Sequence, residues 1–334
     1  MFILESYSLA VIFCVVTMLC WGSWANMQKL ATKSWPFQLF YWDYAFGILI
    51  ISLVIAITMG SHGLHGRPFL ADLYQASTYA ITSALIGGII FNLANILLVA
   101  AIDIAGMAIA FPLAIGLALV IGVVVNYLQT PVGNPGLILL GVILVALAIM
   151  CTAIAHKRIS IQNNISTVKG IIIAVISGSL MGFFYLFVAR SMIHDVYMPE
   201  SGLMTPYSAS FIFAVGIFVS NFFINGCMIK FPITGKKLNF SDYFTQGTPW
   251  LHLIGILGGV IWGIGSTLNF IASNAAGAAI SYGLGQGATL VAAIWGVFIW
   301  KEFSKAPKGT NKLLVLMFIL YISGLASIII AKAI

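Results

Sequence analysis

The sequence predicts an all-α polytopic membrane protein with ten spanning helices. Three observations carry this. Of the 334 residues, 61% are hydrophobic and only 7% are charged, against about 25% charged in an ordinary soluble domain. Apolar runs of bridging length, about 20 residues each, follow one another with short loops between them. Lysine and arginine then concentrate on alternate loops, as they do when loops alternate between two sides of a bilayer.

The runs lie near 8–28, 37–59, 78–101, 105–127, 136–155, 168–189, 207–229, 251–272, 276–300 and 312–332. The first ends in CWGSWANMQKL (20–30), which is unusually polar for the end of an apolar segment. Trp21 and Trp24 are three apart and share a helix face, with Ser23 and Asn26 beside it. Trp21 lies too deep for the interfacial aromatic belt, which Trp24 could join. Lys29 reads as a snorkelling anchor. Glu5 stands where a secretory leader has basic residues, so this run is expected to span rather than be cleaved. The second run carries Asp43 inside FYWDYAFG, the third carries Asn92 and Asn95 one turn apart, and the fourth carries Pro112. The fifth leads into a polar segment, HKRISIQNNISTVK (156–169). The sixth brings Tyr185, the eighth Trp262, Ser266 and Asn269, and the ninth Gly283 and Gln286.

The chain also repeats itself. Residues 87–120 fall on 258–291 without a gap, with glycines at 87/258, 88/259, 106/277 and 116/287. A weaker match sets Trp21-Gly22-Ser23-Trp24 on Met181-Gly182-Phe183-Phe184. Two five-helix halves follow, 1–155 and 170–334, joined by a cytoplasmic linker at 156–169. An odd number of crossings per half makes the repeats inverted. Inverted repeats with a midplane site are a frequent plan for secondary transporters, and paired interruptions in corresponding spans point to that site. Pro112 and Gly283 occupy equivalent positions and are the expected helix breaks.

Polar groups inside the spans mark the candidate solute site: Ser23, Asn26, Asn92, Asn95, Ser266, Asn269 and Gln286, with Trp21, Trp24, Tyr185 and Trp262 as aromatic walls. Amides and hydroxyls at similar depths can bind the hydroxyls of a sugar or the amides of a ureide, and flat rings suit a small polar ring. The same groups can instead serve as glue between helices. Asp43 is costly within a span, about 2.5–3.5 kcal/mol on insertion scales. It is expected either to carry a coupling proton or to pair with Lys29 or Lys33 at the neighbouring helix end.

Several classes are excluded. The net charge of +7 is spread over loops, with none of the basic-aromatic patterning of nucleic-acid binding. There is no Walker A, His-Glu-x-x-His or Gly-x-Ser-x-Gly signature, so neither an ATP-driven pump nor an enzyme is expected. No cofactor and no metal site is expected; His194, Asp195 and Glu200 read as a solvated loop. Cys14, Cys20, Cys151 and Cys227 read as buried thiols. Twelve of the 15 basic residues fall after odd-numbered runs; only Arg67, Arg190 and Lys332 fall on the other side. The rich side is expected to be cytoplasmic and both termini outside, in a multi-pass inner-membrane protein.

The stretch ESYSLAVIFCVVTMLCWGSWANMQKL, then YWDYAFG, GRPF, GGIIFNLANILLVAAIDIAG and VVVNYL, resembles the ureide permease family. It also resembles the related glucose/ribose porters of the drug/metabolite transporter superfamily. The likeness is most specific over 1–130; in the second half it rests on SGSLMGFFY, the glycine-rich eighth and ninth runs and the helix count. The resemblance implies ten helices in two inverted halves, a central cavity and gradient-driven movement of ureides and nucleobases, or of hexoses and pentoses. By position it makes the WGSW stretch, Asp43 and the NLAN stretch cavity residues.

The expectation is a secondary transporter that moves a small neutral polar metabolite by alternating access, as a monomer or homodimer in the lipid bilayer. Asp43 is its proton-coupling candidate. The alternative is an exporter of hydrophobic or cationic compounds, with Asp43 facing a broad apolar cavity.

Overall fold

The computed structural model describes residues 1–31, 35–63, 65–159 and 168–333. Lys33 and most of the interhalf linker therefore lie outside the described residues. Among the described residues, ten helical spans are long and apolar enough to cross a membrane. They are α1 (Tyr7–Ala31), α2 (Phe37–Ile57), α4 (Thr78–Ala105), α5 (Met107–Gln129), α6 (Pro135–Ile159), α7 (Val168–Ser191), α8 (Pro206–Lys230), α10 (Pro249–Ala276), a segmented ninth span and α13 (Thr310–Ile330). The ninth comprises α11 (Ala278–Gly285), α12 (Ala288–Ile294) and a π-helical turn (Trp295–Ile299). Two short helices, α3 (Phe69–Gln75) and α9 (Asp242–Gln246), lie in the connections.

Local chemistry sets several starts. Ser77 Oγ accepts from the Ala80 amide at 3.2 Å at the head of α4, and Thr248 Oγ1 accepts from Leu251 at 3.3 Å at the head of α10. Pro206 and Pro249 each occupy the first turn of their helix, where a missing N–H costs nothing.

Two expected breaks are corrected. α5 runs through Pro112 without interruption, and Pro112 lines a cavity. In the ninth span the interruption falls at Gln286–Gly287, and Gly283 is buried inside α11. Gly283 packs against Val123 and Ile328 and holds helical geometry there.

The halves pack in matching pairs: α1 on α10 as α7 on α4, α2 on α10 as α8 on α4, α1 on α12 as α7 on α5, and α6 on α13. The turns after α4 and α10 are built alike. Gly106 (φ 80°) and Gly277 (φ 89°) adopt a backbone that side chains disfavour. Their amides donate to Ile102 and Ser273, which are themselves equivalent in the repeat. Close approach explains two further repeat glycines. A Cβ on Gly88 would stand 2.2 Å from the Phe213 carbonyl oxygen, and one on Gly259 would stand 2.0 Å from that of Tyr44. Inside a bilayer apolar burial does not drive helices together, so such small-residue contacts carry the packing. Large apolar side chains such as Leu139, Ile143 and Met150 on α6 point outward, as lipid requires.

Both chain ends lie on one face. The Met1 ammonium donates to His65 O at 2.7 Å, Tyr7 Oη donates to Ile329 O at 2.5 Å, and the Asn134 amide donates to Ala331 O at 2.6 Å. The opposite face holds Lys29, Glu302 and the 231–248 connection. Among the cysteines, Cys14 and Cys151 are buried, but Cys227 is exposed on α8, which corrects the expectation that all are buried.

Candidate functional site

A cavity of about 460 Å³ lies among α1, α4, α5, α6, α12, the π-helical turn and α13. That volume is in the range of small-molecule sites. Its rim, at the helix ends of the lysine-rich face, carries Lys29, Asp103, His156 and Glu302; deeper walls carry Gly22, Trp24, Asn95, Thr289 and Tyr321. A second cavity of about 680 Å³ opens beside it and shares Gln28, Val99 and Asp103. This vestibule is walled by α2, α4, α8 and the 234–246 connection, including Trp35, Gln38, Asn225 and Asp242.

Of the expected site residues, Trp24, Asn26, Asn95 and Pro112 line the first cavity. Asn95 Nδ2 donates to Tyr41 Oη at 3.2 Å, and the Trp24 ring tilts on Tyr44 with centroids 4.8 Å apart. The others are held by neighbours away from that wall. Trp21 Nε1 donates to Ser266 Oγ at 3.0 Å and stacks on Trp262 at 5.8 Å. Trp262 stacks on Phe91, its repeat equivalent, at 4.3 Å. Asn92 Nδ2 donates to Ser220 Oγ at 2.8 Å, Tyr185 Oη donates to Asn269 O at 3.3 Å, and Asn269 Nδ2 donates to Ser281 O at 2.9 Å. Gln286 is buried at the interruption of the ninth span, its carbonyl taken by Thr289 Oγ1 at 2.9 Å.

The polar end of α1, CWGSWANMQKL, is matched by the π-helical turn and the residues just after it. Trp295 Nε1 donates to Ser23 Oγ at 2.9 Å, Trp300 Nε1 donates to Asn26 Oδ1 at 2.7 Å, and Lys29 Nζ meets Glu302 Oε1 at 2.6 Å. The Lys29 ammonium also sits 4.2 Å from the Trp300 ring centroid. Lys29 is thus a paired cavity-rim residue, not only an anchor in the headgroups. π-Helical turns recur at functional sites, and this one forms the cavity mouth.

Asp43 is buried on α2 but lines neither cavity. Its partners are the Tyr243 hydroxyl on α9 and His252 Nδ1 on α10, the latter at 2.8 Å. This corrects the expected pairing with Lys29, which is engaged by Glu302. Burial, and then the bond to Asp43, hold the Tyr243 hydroxyl well above the usual tyrosine range.

On the face that holds both chain ends, polar bonds join the 67–75 and 200–205 segments. Arg67 Nε meets the fully buried Asp72 at 3.0 Å and its terminal nitrogens donate to Glu200 O and Leu203 O. Asp72 Oδ2 accepts from the Thr205 amide at 2.7 Å, and Gln75 bridges to Gly202 and Leu203. His194 and Glu200 pair with each other at 3.1 Å.

Sequence reasoning missed Thr152, His156, Thr289 and Tyr321 on the cavity wall, because no local pattern distinguishes them from helix glue. It also missed Asn221 and Asn225, which are one turn apart on α8. Their spacing is the signal that marked Asn92 and Asn95.

Among the described residues, ten spans pack around a ligand-sized, largely apolar cavity with aromatic rings and polar groups on its wall and rim, an arrangement that suits a transporter. The ureide permease family profile matches residues 40–165 and 154–332, and the chain belongs to that family. Ureide permease 1 of Arabidopsis thaliana is 23% identical over 98% of this chain and 97% of its own length. Ureide permease 2 of the same plant is 23% identical over 98% of each chain. One solved crystal structure superposes with a TM-score of 0.63 over 96% of each chain at 14% identity, a likeness of fold alone.

Proposed function

We propose that this protein is a secondary carrier for a small neutral polar metabolite, a ureide or nucleobase or else a sugar, working by alternating access. The observation that carries the reading is the asymmetry of closure. A cavity of about 460 Å³ reaches the lysine-rich face, while on the other face Arg67 and Asp72 bind the 200–205 segment, which we read as the closed side. The ureide class is supported by the names of the plant relatives. Trp24, Trp295 and Trp300 would flank a planar solute, with Asn95 and Asn26 among its hydrogen-bonding partners. The lysine excess supports a cytoplasmic position for the open face, with both termini outside the cell membrane. The matched packing of the halves supports inverted repeats. Asp43, with His252 and Tyr243, is the proton-coupling candidate.

The test is thermal stabilisation of the purified protein by a panel of ureides, nucleobases, nucleosides and sugars. A ligand at 100 times its dissociation constant stabilises by about 2.7 kcal/mol. A response to the panel that is lost in Trp24→Ala and Asn95→Ala supports the reading. A response to lipophilic cations alone would replace it with an exporter.

A further inference from the structure

Beneath the vestibule floor, where α2, α4 and α8 pack together, three buried amides are left wholly or partly unsatisfied among the described residues. Asn221 is fully buried on α8, and neither its Nδ2 nor its Oδ1 has a partner among the described residues. Asn225, one turn nearer the vestibule and on its wall, leaves Oδ1 free, as does Asn92 on α4. Their partners assign the orientations of these last two. Asn225 Nδ2 donates to Gln38 O at 2.8 Å, and a carbonyl can only accept. Asn92 Nδ2 donates to Ser220 Oγ, whose own proton goes to Ile217 O at 3.1 Å. Both free oxygens are therefore acceptors. The cluster offers three acceptors and one NH₂ group.

An amide left unpaired in a helical bundle is costly, and a leucine would fill the same place on α8 without that cost. Depth also matters. Along α8, Met228 and Asn225 line the vestibule and Asn221 is the next turn inward on the same stripe. Along α4, Ile96 lines the vestibule and Asn92 is the next turn inward. Asn95 lines the first cavity and bonds Tyr41, one turn along α2 from Gln38. Asn92 and Asn221 thus lie one turn inward of the vestibule, and Asn225 lies on its wall.

We propose that Asn92, Asn221 and Asn225 form a second binding station, separate from the aromatic cavity. It takes a neutral solute through at least two N–H or O–H donors, one of them adjacent to an acceptor that meets the Asn221 NH₂. This rests on the carrier reading and adds to it a recognition rule: the station selects donors, whereas the aromatic cavity selects a flat ring. A buried hydrogen-bonding site rejects an analogue that lacks the matching group, because the site's own groups are then stranded.

Uracil and 1,3-dimethyluracil separate the two, since methylation removes both N–H donors and keeps the ring. In proteoliposomes, radiolabelled uracil uptake should be inhibited by unlabelled uracil at least about tenfold more strongly than by the dimethyl compound. In Asn221→Leu the thermal midpoint should hold or rise while the KM for uracil increases at least about tenfold and the discrimination shrinks. Asn221→Ser serves if the leucine variant fails to fold. In the wild-type chain, uracil should slow deuterium uptake over 218–228. Unchanged KM in either folded variant, equal inhibition by the two compounds, or protection confined to 289–300 would overturn the proposal. Uptake of sugars without uracil would leave the carrier standing, and an unchanged sugar KM in Asn221→Leu would then overturn the station. If no member of the solute panel were taken up by wild type, the carrier reading itself would fall.

Discussion

The carboxylate of Asp43 lies 2.8 Å from Nδ1 of His252 across the α2–α10 interface. The partners are 209 residues apart in sequence, and the second oxygen is taken by Tyr243 on the intervening α9. A single acid thus ties two spans and the vestibule connection together. Trp35 packs edge-on against His252 at 4.9 Å and leads from this group to the vestibule wall.

If that acid carries the coupling proton, Asp43→Asn should abolish accumulation against a gradient while solute exchange persists. Concentrative uptake by the asparagine variant would remove coupling at this position. Asp43→Leu strands the Tyr243 and His252 donors and should cost about 1–3 kcal/mol of stability, read from chemical unfolding.

The ladder between α1 and the cavity mouth should be unequal in its rungs. Trp300→Phe keeps a ring beneath Lys29 but loses the bond to Asn26, and should lower stability by about 1 kcal/mol. Lys29→Met removes a pair whose side chains are 44% and 31% exposed, and should cost about 0–1 kcal/mol. A larger loss from Lys29→Met than from Trp300→Phe would reverse this order.

Glycines of the repeat should differ sharply. Gly259→Ala drives a methyl into the Tyr44 carbonyl and should destabilise by about 1–3 kcal/mol or more. Gly116→Ala meets nothing within 4 Å, and should stabilise by about 0.5–1 kcal/mol by stiffening a helix interior. Thermal midpoints of the two variants decide it.

On the face read as closed, Arg67→Ala leaves the Asp72 carboxylate without its cation. Asp72 keeps the Thr205 amide, so the loss should lie near the lower end of the about 3–5 kcal/mol typical of a broken buried pair. The double variant Arg67→Leu with Asp72→Leu should recover part of it, and a double-mutant cycle measures how much. The single variant should also make a cysteine at position 205 more reactive to thiol reagents; unchanged reactivity would mean that this pair does not hold the face closed.

How much of this was legible in the chain follows from the range of each interaction. The spans were readable because solvation by lipid is written into every run of about 20 residues. The repeat glycines were readable because close approach tolerates nothing larger at Gly88 and Gly259. The partners of Asp43 were not, since Tyr243 and His252 reach it only through tertiary folding. The π-helical turn was equally silent: WGVFI at 295–299 has no local feature that distinguishes it from an α-helix. Trp21 was legible as deep and aromatic, but its lock onto Ser266 and Trp262 needed the packing of α1 on α10.

Phe91 and Trp262 hold the same place in the two halves, and they touch. A contact between equivalent positions is its own mirror partner: exchange the roles of the halves and the pair returns to itself. If the carrier works by trading shapes between its halves, this stack would be its fulcrum, the point where the lever arms meet and the displacement is least. Its two rings differ in size, so the balance is not even. Phe91→Trp would make the fulcrum symmetric, and the resting preference for one open face should weaken with it.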